Sequence, residues 1–248
     1  LEVADLVKSG ANLATIVTNW RGGIVHDGSI HGGSPFEINT APAQGDTFLT
    51  QVKEITDELK EIGAVANDSC GYHIHVDARD YTFFDVRKLI FLYDKLEDTL
   101  FDLMPDVRRN NTRYCARTAK KYIKDLEKFA VPQENGKKIV ENVYGVKNQS
   151  LASVRGEKYH NARYGALNIH SYIFRGTFEC RLFEGTVSYE NITNWAMLWA
   201  SIIDYAFEMS EKEIKNMKGE GFMILHSIAP NKTVKDWLIE RKKKFGDK

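Results

Sequence analysis

The sequence lacks the features that define several broad classes of protein. No apolar run approaches the roughly 18 residues needed to cross a bilayer, and no signal-peptide pattern is visible. Neither a membrane-embedded nor a secreted protein is expected. Excess charge of either sign is also missing, since 34 basic residues balance 34 acidic ones. With no global field, nothing in the charge points to nucleic acid or an anionic membrane surface as partner. Cysteine is scarce. Cys70, Cys115 and Cys180 are odd in number and far apart, which reads as core packing in a reducing, cytoplasmic setting rather than a disulfide framework. There is no Gly-x-x-x-x-Gly-Lys and no Gly-x-Gly-x-x-Gly, which argues against a P-loop or dinucleotide fold. Without a Gly-x-Ser-x-Gly elbow or a Cys/His motif, covalent hydrolysis lacks support.

What is present is ordinary globular composition, 43% hydrophobic and 27% charged. No repeat, low-complexity segment or linker divides the chain, so residues 1–248 read as a single domain. The chain opens at Leu1-Glu2-Val3 without Met, and Leu1–Ala4 reads as the end of a strand whose start lies upstream. Strands are expected at 24–30 and 36–39, paired as a hairpin, and at 71–77. A second hairpin is expected over 164–173 and 176–185, turning at Arg175-Gly176. Apolar residues at helical spacing predict helices over 46–62, 83–104, 192–209 and 233–245, with another over 118–129. Residues 5–19 show little periodicity. Residues 131–163 are weakly patterned and read as a long loop of the kind used for lids or substrate binding. The cationic stretch 106–117 reads either as a solvated loop or as one that delivers Arg108, Arg109, Arg113 and Arg117 to phosphate or carboxylate.

The central stretch is Gly71-Tyr-His-Ile-His-Val-Asp77. Along a strand, Tyr72, Ile74 and Val76 point one way and His73, His75 and Asp77 the other. The same alternation places Glu37 and Asn39 opposite Phe36 and Ile38. It places Asn168, His170 and Tyr172 opposite Leu167, Ile169 and Ile173, and Glu179 and Arg181 opposite Phe178, Cys180 and Leu182. Four such strands suggest one mainly antiparallel sheet with helices on its apolar face and a charged floor on the other. Imidazole and carboxylate suit a divalent metal, with magnesium or manganese favoured by oxygen-rich sites, and the floor can equally meet phosphate oxygens.

Together with Glu2, Asp27-Gly-Ser-Ile30, Glu37 and Arg163-Tyr164, the motifs Cys70–Asp77, Leu167-Asn168 and Gly176-Thr-Phe-Glu-Cys-Arg-Leu-Phe183 resemble the amidoligases. These are carboxylate–amine ligases related to glutamine synthetase and glutamate–cysteine ligase. The resemblance implies an α+β fold whose antiparallel sheet curls into a funnel with helices outside. It also implies ATP and two or three divalent ions, with a substrate carboxylate phosphorylated to an acyl phosphate and then captured by an amine. Small-molecule or peptide carboxylates and amines are the implied partners. By position, Glu2, Glu37, His73 and Glu179 match metal ligands, and His75 and Arg181 match groups that face nucleotide phosphate. Arg163 lies where a nucleotide contact is implied, and Asn168 and His170 where substrate contacts are. Glu37, His73 and Glu179 are expected to converge on one metal cluster. The first Glu of the family's Glu-x-Glu pair is not in this sequence. Two other readings compete. Gly-x-His-x-His-x-Asp also resembles amidohydrolases, which need a full parallel barrel, and a non-catalytic protein could keep the fold without the chemistry.

Overall fold

The computed structural model describes residues 1–111, 113–129, 132–147, 153, 154 and 156–246. Two compact units emerge, one of Leu1–His73 with Phe183–Ala196 and the other of Ile74–Leu182 with Met197–Lys248. The architecture is α+β. The strands are β1 (Glu2–Val3), β2 (Gly23–Val25), β3 (Phe36–Asn39), β4 (Gly71–Asp77), β5 (Leu167–Asn168) and β6 (Thr177–Glu184). They form two three-stranded sheets, ordered β1–β3–β2 and β4–β6–β5, instead of the single sheet expected from the shared alternation. The pairings β1–β3, β2–β3 and β5–β6 are antiparallel, unlike the parallel barrel of an amidohydrolase. Among the described residues, no helix is long and apolar enough to cross a membrane.

In the first unit, Val3, Phe36 and Ile38 turn one face of the β1–β3–β2 sheet onto two helices, α1 (Ala11–Asn19) and α2 (Gly45–Glu61). The α2 residues Ile55 and Leu59 pack there with Leu13 and Val17 of α1. Gly63 adopts φ +66°, which an L-residue with a side chain rarely tolerates, and it ends α2 where the apolar spacing predicts. α1 escapes a sequence reading because it buries only Leu13 and Val17, too few positions to set a period.

The second unit is built around α3 (Phe83–Asp102), opened by a Thr82–Asp85 capping box. Two cations on this helix are buried. Arg87 bonds Glu211 and the carbonyls of Leu126 and Phe129, while Lys88 donates to the Phe207 carbonyl. Tyr93 meets Trp199 edge to face. The helix expected over 118–129 breaks after Ile123, because Asp125 sits at φ +57° before a short 3-10 turn at Leu126–Lys128.

Two expectations fail in this unit. The loop expected over 131–163 contains a helix, Pro132–Tyr144, whose Ile139, Val140 and Val143 are buried at helical spacing. Gly136 weakens the sequence signal, and it packs closely there: a Cβ at this position would lie 3.1 Å from the Phe83 ring. Residues 131, 148–152 and 155 of the same segment lie outside the described residues. Beyond Asn168, the expected strand is replaced by the helix Ile169–Arg175. Asn168 caps it by accepting from the Ser171 N–H, and Gly176 at φ +73° closes it. Ile169 and Ile173, four residues apart, fit a helix face as well as a strand face.

Glu97 of α3 accepts from the N–H groups of Thr118 and Ala119 at 2.6 and 3.0 Å. Burial nevertheless raises its pKa above the ordinary carboxylate range, outweighing those two bonds. The stability that protonated Glu97 contributes is therefore full below its unfolded-state pKa and is lost as pH rises through the raised folded value. Glu97→Gln cannot ionise, so in urea unfolding the wild type should lose stability relative to the variant as pH rises from acid to neutral. A difference that stays flat or grows in the wild type's favour would contradict this.

Candidate functional site

The expected site residues fall into two local clusters, one in each unit. In the first, antiparallel register sets Glu2 directly opposite Glu37, with Val25 on the other side of Glu37. Phe36 and Ile38 are buried while Glu37 is half-buried on the opposite face, as the alternation predicts. Glu2 is buried. One of its carboxylate oxygens accepts from the Gly71 N–H at 2.5 Å, and the other lies 3.8 Å from His73 Nε2. Burial raises the Glu2 pKa against the Gly71 bond, and the nearby charges of Asp27 and Glu37 raise it further. Like charges directly opposite on neighbouring strands are unfavourable, and a cation between them would reverse the sign of that interaction.

In the second cluster, Glu179 is the centre. It is buried, and its Oε2 accepts from the Asn168 amide at 2.5 Å. Its Oε1 accepts from Arg181 Nη1 at 2.6 Å and lies 3.7 Å from His75 Nε2. Asn168 does two jobs, because the oxygen of the same amide caps the helix Ile169–Arg175. Arg181 is fixed a second time, its Nε donating to the Tyr114 carbonyl at 3.3 Å. The main chain beneath it is gripped by the buried Arg108, which donates to the carbonyls of Arg181 at 2.5 Å and Leu182 at 3.1 Å. His75 keeps 34% of its side chain exposed. Its Nδ1 lies 2.9 Å from Thr177 Oγ1 and 3.3 Å from Ser171 Oγ. Burial pulls the imidazole below its ordinary pKa against the attraction of Glu179, and Arg175 and Arg181 add to the lowering. At neutral pH the ring is therefore uncharged, and the contact with Glu179 is no ion pair.

Two expected residues lie elsewhere. His170, placed on a helix rather than a strand face, is buried with its Nδ1 2.7 Å from the Tyr144 hydroxyl, beside His160 and stacked on Phe174. Arg163 lies between the rings of Tyr159 and Tyr164. The cationic stretch 106–117, of which residue 112 lies outside the described residues, matches its two readings only in part, since Arg113 is exposed and Arg117 meets a carboxylate. Arg108 and Arg109 are spent on main-chain carbonyls, and Arg117 on Asp98 and the Phe101 ring. Thr177 was open to a sequence reading, since it stands two residues before Glu179 on the same strand face. Ser171 and the Tyr114 carbonyl left no such signal.

Among the described residues, no group of three or more His, Cys, Asp or Glu side chains is drawn close enough to hold a metal ion as it stands. The donor types nonetheless suit a divalent cation, with Glu2 and Glu37 offering carboxylate oxygen and His73 imidazole nitrogen.

The two jobs of Asn168 separate by substitution. Asn168→Ala should lose the cap, worth about 1 kcal/mol, and leave an acceptor of Glu179 unmet at a further cost of about 1–3 kcal/mol. Asn168→Asp restores the cap but sets a second carboxylate against Glu179, so at neutral pH it should be no more stable than the Ala variant in urea unfolding. Wild-type stability in the Asp variant would mean that the Asn168–Glu179 bond contributes nothing.

A family model described as "putative amidoligase enzyme" matches residues 9–203. That span holds every expected site residue except Glu2, which precedes it. No curated protein and no solved structure matches the chain. The match covers well over half of the sequence and includes both Gly71–Asp77 and Thr177–Phe183, the strands that carry the two histidines and the Glu179–Arg181 pair. The chain belongs to the amidoligase family.

Proposed function

We propose that the protein is a carboxylate–amine ligase that consumes ATP, requires magnesium or manganese, and proceeds through an acyl phosphate. The observation that carries this reading is the arrangement around Glu179. Inside the region matched by the family, a buried carboxylate is held between an amide and a guanidinium, and that guanidinium is itself fixed by a main-chain carbonyl. Preorganised charge of this kind suits phosphoryl transfer, where catalysis is mostly positioning and neutralisation.

In the overall reaction a substrate carboxylate oxygen takes the terminal phosphoryl group and ADP leaves. The amine nitrogen then attacks the acyl carbon, phosphate departs with the bonding electrons, and the amine gives up a proton. A bound divalent ion supplies charge neutralisation at the phosphates. Glu2, Glu37 and His73 in the first unit, and Glu179 in the second, are the residues that would hold such ions. Arg181 has Nε and Nη1 engaged, which holds the plane of its fork and directs Nη2 toward an anion. His75, uncharged and bordered by Thr177 and Ser171, is assigned as a hydrogen-bonding group for phosphate. Asn168 holds Glu179 in place and borders the carboxylate substrate. The carboxylate and amine belong to small molecules or peptides.

The direct test is ADP release with magnesium against a panel of amino acids, polyamines and peptides. Arg181→Lys keeps the charge and loses the fork. It should fold normally and lose about 2–4 kcal/mol of barrier lowering, or roughly 30- to 10³-fold in kcat. Unimpaired ligation by that variant would remove Arg181 from the chemistry. Metal use is checked separately by manganese binding. Glu37→Gln should weaken it by roughly tenfold or more, and EDTA should abolish turnover. An Mn²⁺ affinity unchanged in the variant would take Glu37 out of the ligand set.

A further inference from the structure

The segments flanking Arg181 carry two Arg-Tyr dipeptides, Arg113-Tyr114 and Arg163-Tyr164. Each guanidinium lies over the ring of its own neighbour, at 4.9 and 4.7 Å from the centroid. The two tyrosine rings meet edge to face at 5.7 Å. Main-chain bonds from Ala116 to Tyr164 and from Ala166 to Ala116 lock the segments together. Arg163 also lies 5.0 Å from the Tyr159 ring and donates to the Tyr164 hydroxyl at 2.8 Å, while its buried Nε has no hydrogen-bond partner among the described residues. Arg181 closes the set, its guanidinium 5.9 Å from the Tyr164 ring.

Three guanidiniums thus gather around two tyrosine rings. Among the described residues the only carboxylate bonded to any of them is Glu179, which is taken by Arg181. Because the chain as a whole is neutral, this excess of positive charge is local. The ring faces offset part of the repulsion, and an anion would offset the rest. A guanidinium over an aromatic ring can still donate from its edge to a carboxylate, and Arg113, exposed and over the Tyr114 ring, is placed to do so. The wall is also accessible, with Arg113 exposed and Arg163 and Tyr164 half-buried.

We infer that this arginine–tyrosine wall binds carboxylates of the substrate other than the one that reacts, so that the ligase acts on an acidic peptide. The inference rests on the ligase reading for the statement that a carboxylate is activated nearby. The anion-binding role of the wall does not depend on it. Nucleotide phosphate is the other source of the same negative charge, and the test separates the two.

Binding to the intact chain is measured by calorimetry with triglutamate, with triglutamine and with a non-hydrolysable ATP analogue plus magnesium. Triglutamate should bind at least roughly tenfold more tightly than triglutamine, the scale of charge-assisted recognition. Arg163→Gln and Arg113→Gln should each weaken triglutamate by roughly tenfold and leave the nucleotide analogue within about twofold. Arg113 is exposed, so its variant guards against loss through misfolding, and an unchanged thermal midpoint should confirm this. Equal affinity for the two peptides overturns the inference, as does a loss that falls on the nucleotide analogue instead. Failure of the wild type to bind the analogue at all would refute the ligase reading, while the peptide comparison would still decide the fate of the wall.

Discussion

A carboxylate taken out of water must be bonded or neutralised, and the second unit is organised by how Glu179 meets that demand. Its two oxygens are claimed by Asn168 and Arg181, and each claim recruits further structure. Asn168 is fixed because its amide also starts the helix Ile169–Arg175, and that helix ends at the left-handed Gly176, one residue before β6 begins. Arg181 is fixed because Tyr114 accepts from it, and Tyr114 is set by the turn in which Asn111 receives the N–H groups of Arg113 and Tyr114. A single buried charge therefore accounts for the end of one helix, the path of a cationic loop and the orientation of a guanidinium.

The first unit meets a related demand differently. Glu2 and Glu37 are set opposite each other by strand register, and the Glu2 carboxylate meets a main-chain N–H and, at 3.8 Å, an imidazole. The register cannot slip to relieve this, because a shift of one residue would drive Phe36 and Ile38 out of the core and Glu37 into it. Packing of α1 and α2 on the apolar face thus sustains an electrostatically unfavourable arrangement on the polar one. Energy held in this way is what a cation-binding site would draw on, and it is consistent with the ligand role proposed for this face.

Legibility followed the density of the pattern. α2 and α3 repeat their apolar positions over four or more turns, and β3, β4 and β6 alternate cleanly, so their faces could be read directly. Glu37, His73, His75, Glu179 and Arg181 stood out as candidates because each occupies the polar side of such an alternation. The segment after Asn168 misled because period two and period four coincide at Ile169 and Ile173, and a cap is a local hydrogen bond that no hydropathy period records. The helix Pro132–Tyr144 was hidden by Gly136, whose purpose is contact with Phe83, a residue some fifty positions earlier in the sequence. The arginines of 106–117 announced their charge but not their acceptors, since main-chain carbonyls have no sequence signature.

The buried guanidinium of Arg108 also bears on the edge of the sheet that carries Glu179 and Arg181. β5 spans only Leu167 and Asn168, paired with Cys180 and Glu179, so the farther part of β6 extends past its short neighbour. Carbonyls left open on such a strand are templates for strand addition, the route by which exposed edges aggregate. Arg108 occupies the Arg181 and Leu182 acceptors from within, and an incoming strand would have to displace a buried cation to reach them. The side chain that steadies the site thereby also satisfies acceptors on β6 that the short β5 leaves without a strand partner.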